Sequence, residues 1–524
     1  MRPDTGWTGA AQRLCAVLAG LVLAGCSGAT GGTGNGAVDR NANLRIGMPV
    51  PQSLDPRQAP EPSQLLIGTW PVYDRLIQVG PQARYEPMLA TRWAFSADGR
   101  TLTLTLRHGV TFSDGTPFDA AAVKANLDAS MAAARTVVQQ NLADVARVDV
   151  TGNDVVNLRL KAPSTTVLSA LSSTLGGVMI SPKALNAKNL ATHPVGTGAY
   201  VIASFRPGQR VVYKRRTDKG GIWDTRTGGP ATIEINTYPS RDAANNAVKS
   251  GQADIVTWPG DKKPVQSLLD SGQLQARALD TALNMVGLNL NRTVKPYDDI
   301  KVRQAINYAI DRNAIVKAFM PSSAPRVQPW PAGLPGFDRA READYPYDPA
   351  KAKTLLAEAG FANGFDGGEF LVAQAEAIPQ AAEAVQADLA RVGIRIKLRT
   401  VDVLSLVTQW ARSKDPGELM YMSMPSIDAY SWLRRLFVNP TWVPAGPDPE
   451  MARLIRGTDD PGLTDAQRSA RIGAAVDHAT ADALYAPLWQ GVGGYLADAK
   501  VKGLDALASV NGGIADFRNV GMTR

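Results

Sequence analysis

Residues 85–127 read YEPMLATRWAFSADGRTLTLTLRHGVTFSDGTPFDAAAVKANL, and their order of turns, strand and helix decides the fold. Asp98-Gly99 supplies the positive φ that a tight hairpin turn needs, so a strand is expected to return directly after it. Thr101 to Arg107 alternates strictly, with Leu102, Leu104 and Leu106 on one face and threonines on the other, the pattern of a strand half buried in an antiparallel sheet. A second Asp-Gly pair, Asp114-Gly115, closes it. Asp119 then stands at an N-cap position, and Val123, Leu127 and Met131 recur along one helical face, so a helix should cover the sheet.

Across Pro87–Phe118 the chain carries P-x-L-A-x-x-W, then S-x-D-G-x-T, then L-R-x-G-V-x-F-x-D-G-x-P-F. This wording resembles the extracytoplasmic solute-binding proteins of the peptide/nickel class of ABC importers (family 5). Six further blocks agree in the same order: Ser53–Pro56 (SLDP), Pro194–Tyr200 (PVGTGAY), Ala247–Ile255 (AVKSGQADI), Asp299–Ile315 (DIKVRQAINYAIDRNAI), Tyr347–Phe361 (YDPAKAKTLLAEAGF) and Ala381–Leu398 (AAEAVQADLARVGIRIKL). Ordered blocks from about residue 44 to 500 are far more specific than any single motif.

The resemblance implies an α/β protein with the two-lobed clamp of type II (cluster C) periplasmic binding proteins and an extra subdomain inserted in the first lobe. Residues 43–80, 190–285 and 491–524 would form the core of lobe I, residues 81–189 the added subdomain, and residues 286–490 lobe II. The two crossovers, near Leu288-Asn289 and Trp489-Gln490, would be the hinge. The residue patterns agree with mixed α/β lobes: strand-like runs at Leu44–Met48, Tyr200–Phe205, Arg210–Lys214 and Thr232–Tyr238, and helical ones at Ile300–Phe319, Pro349–Ala359 and Pro379–Val392. Gly393 is the expected stop of the last helix, before a strand at Ile394–Leu398.

Arg2 and Arg13 precede an apolar run from Leu14 to Leu23 that is too short to span a bilayer comfortably and reads as an export signal. Leu23-Ala24-Gly25-Cys26 resembles a lipobox, which implies a signal peptide over 1–25 and a lipidated Cys26; an ordinary signal peptide ending near a cysteine is the alternative. The glycine-rich residues 26–42 would then tether the body to the membrane, spanning about 22 Å as a flexible coil. With only Cys15 and Cys26 in the chain, no internal disulfide is expected in the mature protein.

The composition, 44% hydrophobic and 20% charged, is that of a soluble globular body of two or three domain-sized units. The net charge of +8 is spread over short clusters such as Lys214-Arg215-Arg216 and Arg434-Arg435. Such clusters suit solvated surface or anionic lipid rather than nucleic acid, so no nucleic-acid partner is expected.

Catalytic and metal constellations are missing: there is no G-x-S-x-G elbow, no G-x-x-x-x-G-K-[ST] loop and no H-E-x-x-H. His108 falls in a turn, His193 precedes Pro194 and His478 stands alone on a helix, so no metal, cofactor or catalytic residue is expected. The reading is a monomeric carrier that closes on a solute between its lobes and presents it to a membrane permease. A sensor or regulator of envelope processes on the same fold, and an extracytoplasmic lipid-anchored hydrolase, are the alternatives.

In peptide-binding members of the family, a G-W-x-[AG]-D-x-x-x-P-x-x-F-L segment presents an aspartate to the peptide's α-ammonium. The corresponding residues here are Tyr421–Leu433, YMSMPSIDAYSWL. An ungapped alignment on Ser431-Trp432-Leu433 puts Met422 at the tryptophan and Pro425 at the aspartate, with the nearest acid at Asp428. Asp428 reads equally as a replacement for that acid or as the cap of a helix starting near Tyr430. Tyr430 and Trp432 are candidate stacking walls, although at this spacing one should face the core. Met422, Met424 and Ser426 would line the same pocket or simply pack. Glu61 falls where the family can place a ligand-facing acid, and reads otherwise as a solvated loop residue. Tyr430 stands where nickel-chelate binders carry a histidine, which argues against nickel.

Overall fold

The computed structural model describes residues 38–523 except 59–68, 133–141, 279–283, 424–427, 510–516 and several stretches of one to three residues. Three sheets organise the chain. The first has seven strands in the order Leu274–Ala278, Gly494–Asp498, Ile255–Trp258, Asn43–Gly47, Thr232–Asn236, Arg210–Arg215 and Tyr200–Arg206. Asn43–Gly47 runs parallel to both of its neighbours, and the remaining pairs are antiparallel. The second has six, ordered Ala324–Pro325, Tyr485–Gln490, Asn284–Leu290, Gly417–Ser423, Phe365–Ala373 and Ile394–Val401. The third is an antiparallel four-stranded sheet of Ala90–Phe95, Thr101–Leu106, Val155–Leu160 and Val145–Thr151.

The opening block behaves as its residues dictate. Gly99 and Gly115 take φ of 66° and 79°, where a side chain would be strained. Leu102, Leu104 and Leu106 are at most 2% exposed and pack with Val123 and Leu127 of the helix Ala120–Ala132. Each such side chain contributes roughly 1.5–3 kcal/mol of gross burial energy. Asp119 caps that helix by accepting a hydrogen bond from the Ala122 amide at 2.8 Å. Inside the helix, the buried Asn126 donates to the Ile180 carbonyl and accepts from the Ile180 amide (2.7 and 2.9 Å), tying the covering helix to residues that follow the subdomain's sheet.

The chain passes from the first sheet to the second between Ala278 and Asn284, and returns between Gln490 and Gly494. Trp489 and Gln490 therefore close the last strand before the return. Leu288 and Asn289 do not mark a crossover: they lie inside a strand, opposite Leu419 and Glu418 on one side and Ala486 and Tyr485 on the other. The run Met285–Leu290 is buried because it is a central strand of the second sheet, so the change of sheet lies before it. A second difference concerns Ile300–Phe319, which is two helices, Ile300–Ala309 and Arg312–Phe319. Asp311 stops the first and caps the second, accepting from the Ala314 amide at 2.9 Å.

Candidate ligand-binding site

Strand Gly417–Ser423 of the second sheet delivers the chain to the segment singled out above, and the helix Ala429–Phe437 carries it away. Asp428 caps this helix, its carboxylate accepting from the Ser431 amide at 2.8 Å. The helix turns Trp432, Leu433, Leu436 and Phe437 into the core of the second sheet, all at most 4% exposed. Trp432 is thus a packing residue and not a stacking wall, because the helical period sends it inward while Tyr430, two positions earlier, stays half buried. Met422 sits in the strand opposite Met285. Met424, Ser426 and Glu61 lie outside the described residues, as does Cys26.

Across from Asp428 stand residues of the subdomain. Tyr85 lies by Ser169, on the helix Thr166–Ser172, and its hydroxyl is held far above the ordinary range by burial and by the negative charge of Asp428, with Ser169 and Arg468 opposing. Burial likewise raises the carboxyl of Asp428, against the bonds from Ser431 and the charge of Arg468. The backbone joins the two sides directly: the Thr165 amide donates to the Asp459 carbonyl at 2.7 Å. Arg468 reaches the Thr165 hydroxyl at 3.5 Å while holding the Thr458 and Asp460 carbonyls. Burial raises the Asp459 carboxyl too, countered by Ser164 and reinforced by Asp428 and Asp144. On the subdomain side, Asp144 accepts from Thr166 at 2.9 Å and from Ser164 at 3.2 Å.

Three carboxylates and one arginine thus gather where residues 144–169 meet residues 428–468. None of Tyr85, Asp459 or Arg468 was visible as a neighbour of Asp428 in the sequence. Arg468 and Thr165 are 303 residues apart, and no motif marks residues 457–468. Thr165→Pro removes the amide donor at a φ of −82° that proline tolerates. It also takes away the hydroxyl that Arg468 reaches, so the loss of the two hydrogen bonds is expected to cost about 1–2 kcal/mol of stability. Urea titration of the ligand-free protein checks this as a lower midpoint with an unchanged slope.

His108 is exposed, 3.4 Å from Asp154, and the His193 ring meets the neighbouring Thr192 hydroxyl at 2.8 Å. His478 is not alone: its Nε2 lies 2.9 Å from Asp448, which also takes Arg292 at 3.0 Å. Burial works against ionisation of Asp448, yet the Met451 amide, His478 and Arg292 together bring its carboxyl below the ordinary range. Among the described residues no group of three histidine, cysteine or acidic side chains could hold a metal ion. No described helix is long and apolar enough to cross a membrane.

Comparison with known proteins places this geometry. Residues 84–435 match the bacterial extracellular solute-binding proteins, family 5, middle region. The glutathione-binding protein GsiB of Salmonella paratyphi A is 31% identical over 404 residues, covering 75% of this chain and 77% of the relative. GsiB of Escherichia coli O1:K1 is 30% identical over the same span and shares. Among solved structures, the periplasmic binding protein DppA from Helicobacter pylori in complex with the peptide STSA superposes with a TM-score of 0.77 at 22% identity, covering 92% of this chain and 98% of that one. The binding protein AgaA from A. tumefaciens R10 in complex with agropinic acid gives 0.76 at 23% identity, covering 92% and 99%. At these identities the structural likeness speaks for the fold, that of the type II periplasmic binding proteins, while the sequence matches speak for the family. The chain belongs to family 5 of the bacterial extracellular solute-binding proteins, the peptide/nickel class that serves ABC importers.

Proposed function

We propose that this protein captures a peptide or peptide-like solute carrying a free amine between its lobes and delivers it to the permease of an ABC importer. It would act as a monomer, anchored by lipid on Cys26 after removal of residues 1–25 and tethered by residues 26–42. Residues 43–80, 190–285 and 491–524 would serve as lobe I, 81–189 as its subdomain and 286–490 as lobe II, with Trp489 and Gln490 at the hinge. The observation that carries the ligand class is Asp428: a carboxylate fixed by its helix cap in the cluster of three carboxylates, raised by burial, and therefore ready to gain from a cationic partner. Glutathione, bound by the relatives named GsiB, and the peptide held by DppA both fit this reading.

Asn caps a helix about as well as Asp, so Asp428→Asn isolates the charge. The variant should keep its melting temperature and bind amine-bearing peptides roughly 1.5–3 kcal/mol more weakly, which is about 10- to 150-fold. Ligands are identified by mass spectrometry of small molecules released on denaturing the purified protein. If Asp428→Asn binds those ligands as the native protein does, the carboxylate is a cap alone. If no peptide is released and none raises the melting temperature, the peptide class is wrong.

A further inference from the structure

A cavity of about 750 Å³ is walled by the first turn of helix Arg312–Phe319 and by residues 325–347. It shares no residue with the cluster around Asp428, and its size suits a small organic ligand.

Its charge is unbalanced, with Arg312, Arg326 and Arg339 on its walls against Glu342. The guanidinium of Arg312 is 5% exposed as a residue and donates only to neutral acceptors: the Pro487 carbonyl, the Asn307 carbonyl and the Asn307 side chain (2.7, 2.8 and 2.6 Å). Glu342 already accepts from the Gln328 amide and side chain, and its approach to Arg326 is a long 3.7 Å. Arg339 is exposed and forms no ion pair among the described residues. Arg326 lies over the ring of Phe337, 5.8 Å from its centroid, and Tyr347 is 41% exposed at the rim. Positive charge without matched carboxylates, beside aromatic walls, selects an anion with a flat apolar body.

The cavity also touches the return crossing. Strand Ala324–Pro325 pairs with Trp489 and Gln490, and the Gln490 side-chain oxygen is gripped by the Arg326 Nε at 2.9 Å and the Ala332 amide at 3.0 Å. A carboxylate taken by the Arg326 fork would compete with Gln490, the last strand residue before the chain returns to the first sheet.

We propose that this cavity is a second ligand site, specific for a small aromatic carboxylate, whose occupation is felt at the crossing through Arg326 and Gln490. The site stands apart from the peptide reading and does not require it.

The test uses 4-hydroxyphenylacetate as probe on the purified protein, with calorimetric titration and hydrogen–deuterium exchange. One-to-one saturable binding is expected, with exchange slowed over 324–347 and altered over 485–490, and with no binding of the neutral 4-hydroxyphenylethanol. Arg326→Gln and Tyr347→Ala should each weaken the probe about tenfold or more, the first by removing the fork and the second by removing an exposed wall that folding does not need. Failure of the probe to saturate at millimolar concentration overturns the proposal. So does slowed exchange confined to 85–90 and 428–437, which would place the probe at the lobe edge instead, or unchanged affinity in Tyr347→Ala.

Discussion

Arg312→Ala is expected to lower the stability of the protein by about 4 kcal/mol, since a charged donor making three buried hydrogen bonds is removed and its acceptors stay behind. Arg312 reaches back from the first turn of its helix to the Asn307 carbonyl, at the end of the preceding helix, and across to Pro487 in the last strand of the second sheet. One side chain therefore satisfies a helix C-terminus and ties two helices to the strand that leads to the crossing. Burial brings its basicity down only to about 10, so the guanidinium remains charged at neutral pH, and its loss forfeits charge-assisted bonds. Urea titration should show a lower midpoint with an unchanged slope. Arg312→Lys should recover about half of the loss, because an ammonium keeps the charge but cannot match the planar fork. A loss below about 1 kcal/mol in Arg312→Ala would mean that water reaches these acceptors, contrary to their burial.

The same residue shows why the family wording was legible while the site was less so. The block Asp299–Ile315 encodes structure: Asp299 and Asp311 cap the two helices, while Arg303, Asn307 and Arg312 are at most 5% exposed and hydrogen-bonded internally. The other blocks act likewise. Asp254 in AVKSGQADI holds Arg45 through both carboxylate oxygens, at 2.6 and 3.1 Å. Asp55 in SLDP does the same for Arg57, at 3.0 Å on each oxygen. In PVGTGAY, a Cβ on Gly196 would fall 2.2 Å from the Val72 carbonyl oxygen, so only glycine lets these backbones approach. Such residues are spelled out because each answers a local or rigid demand of the frame.

Turns, caps and alternating strands are set by neighbours in sequence, which is why Asp98-Gly99, Asp119 and Thr101–Leu106 could be read directly. The contact of residues 144–169 with residues 428–468 is different: Thr165, Asp459 and Arg468 meet only once three sheets are in place, and nothing in their spacing announces it. Asp428 lies between the two cases. Its cap was readable from the helix that follows, whereas its neighbours Tyr85 and Arg468 come from opposite sides of the clamp. The family was plain from the frame, while the ligand class had to be argued from one carboxylate whose neighbours are distant in sequence.

Glu418→Gln is expected to remove most of a pH dependence of stability that the native protein carries between about pH 4.5 and about pH 8. Glu418 is 0% exposed, at the start of the strand that leads to Asp428. One carboxyl oxygen accepts from Asn289 at a long 3.3 Å, and the other has no hydrogen bond among the described residues. Burial pushes its carboxyl up from 4.5 to about 8, with Asn289 and the charge of Arg435 pulling the other way. A carboxyl raised in the folded state binds its proton more firmly there than in the unfolded chain. Within that window the folded form therefore holds the extra proton, and stability falls as pH rises, by up to about 1.4 kcal/mol per pH unit for one proton. Glutamine keeps the shape of the protonated acid and cannot ionise. The variant should match the native protein near the acid end of the window and exceed it by about 4 kcal/mol at the alkaline end, less whatever Arg435 loses with its neighbouring charge. Urea midpoints measured across the window decide the matter. Curves that stay parallel would mean that Glu418 is ionised throughout, with Arg435 as its buried counter-charge, and removing that charge should then cost stability at every pH.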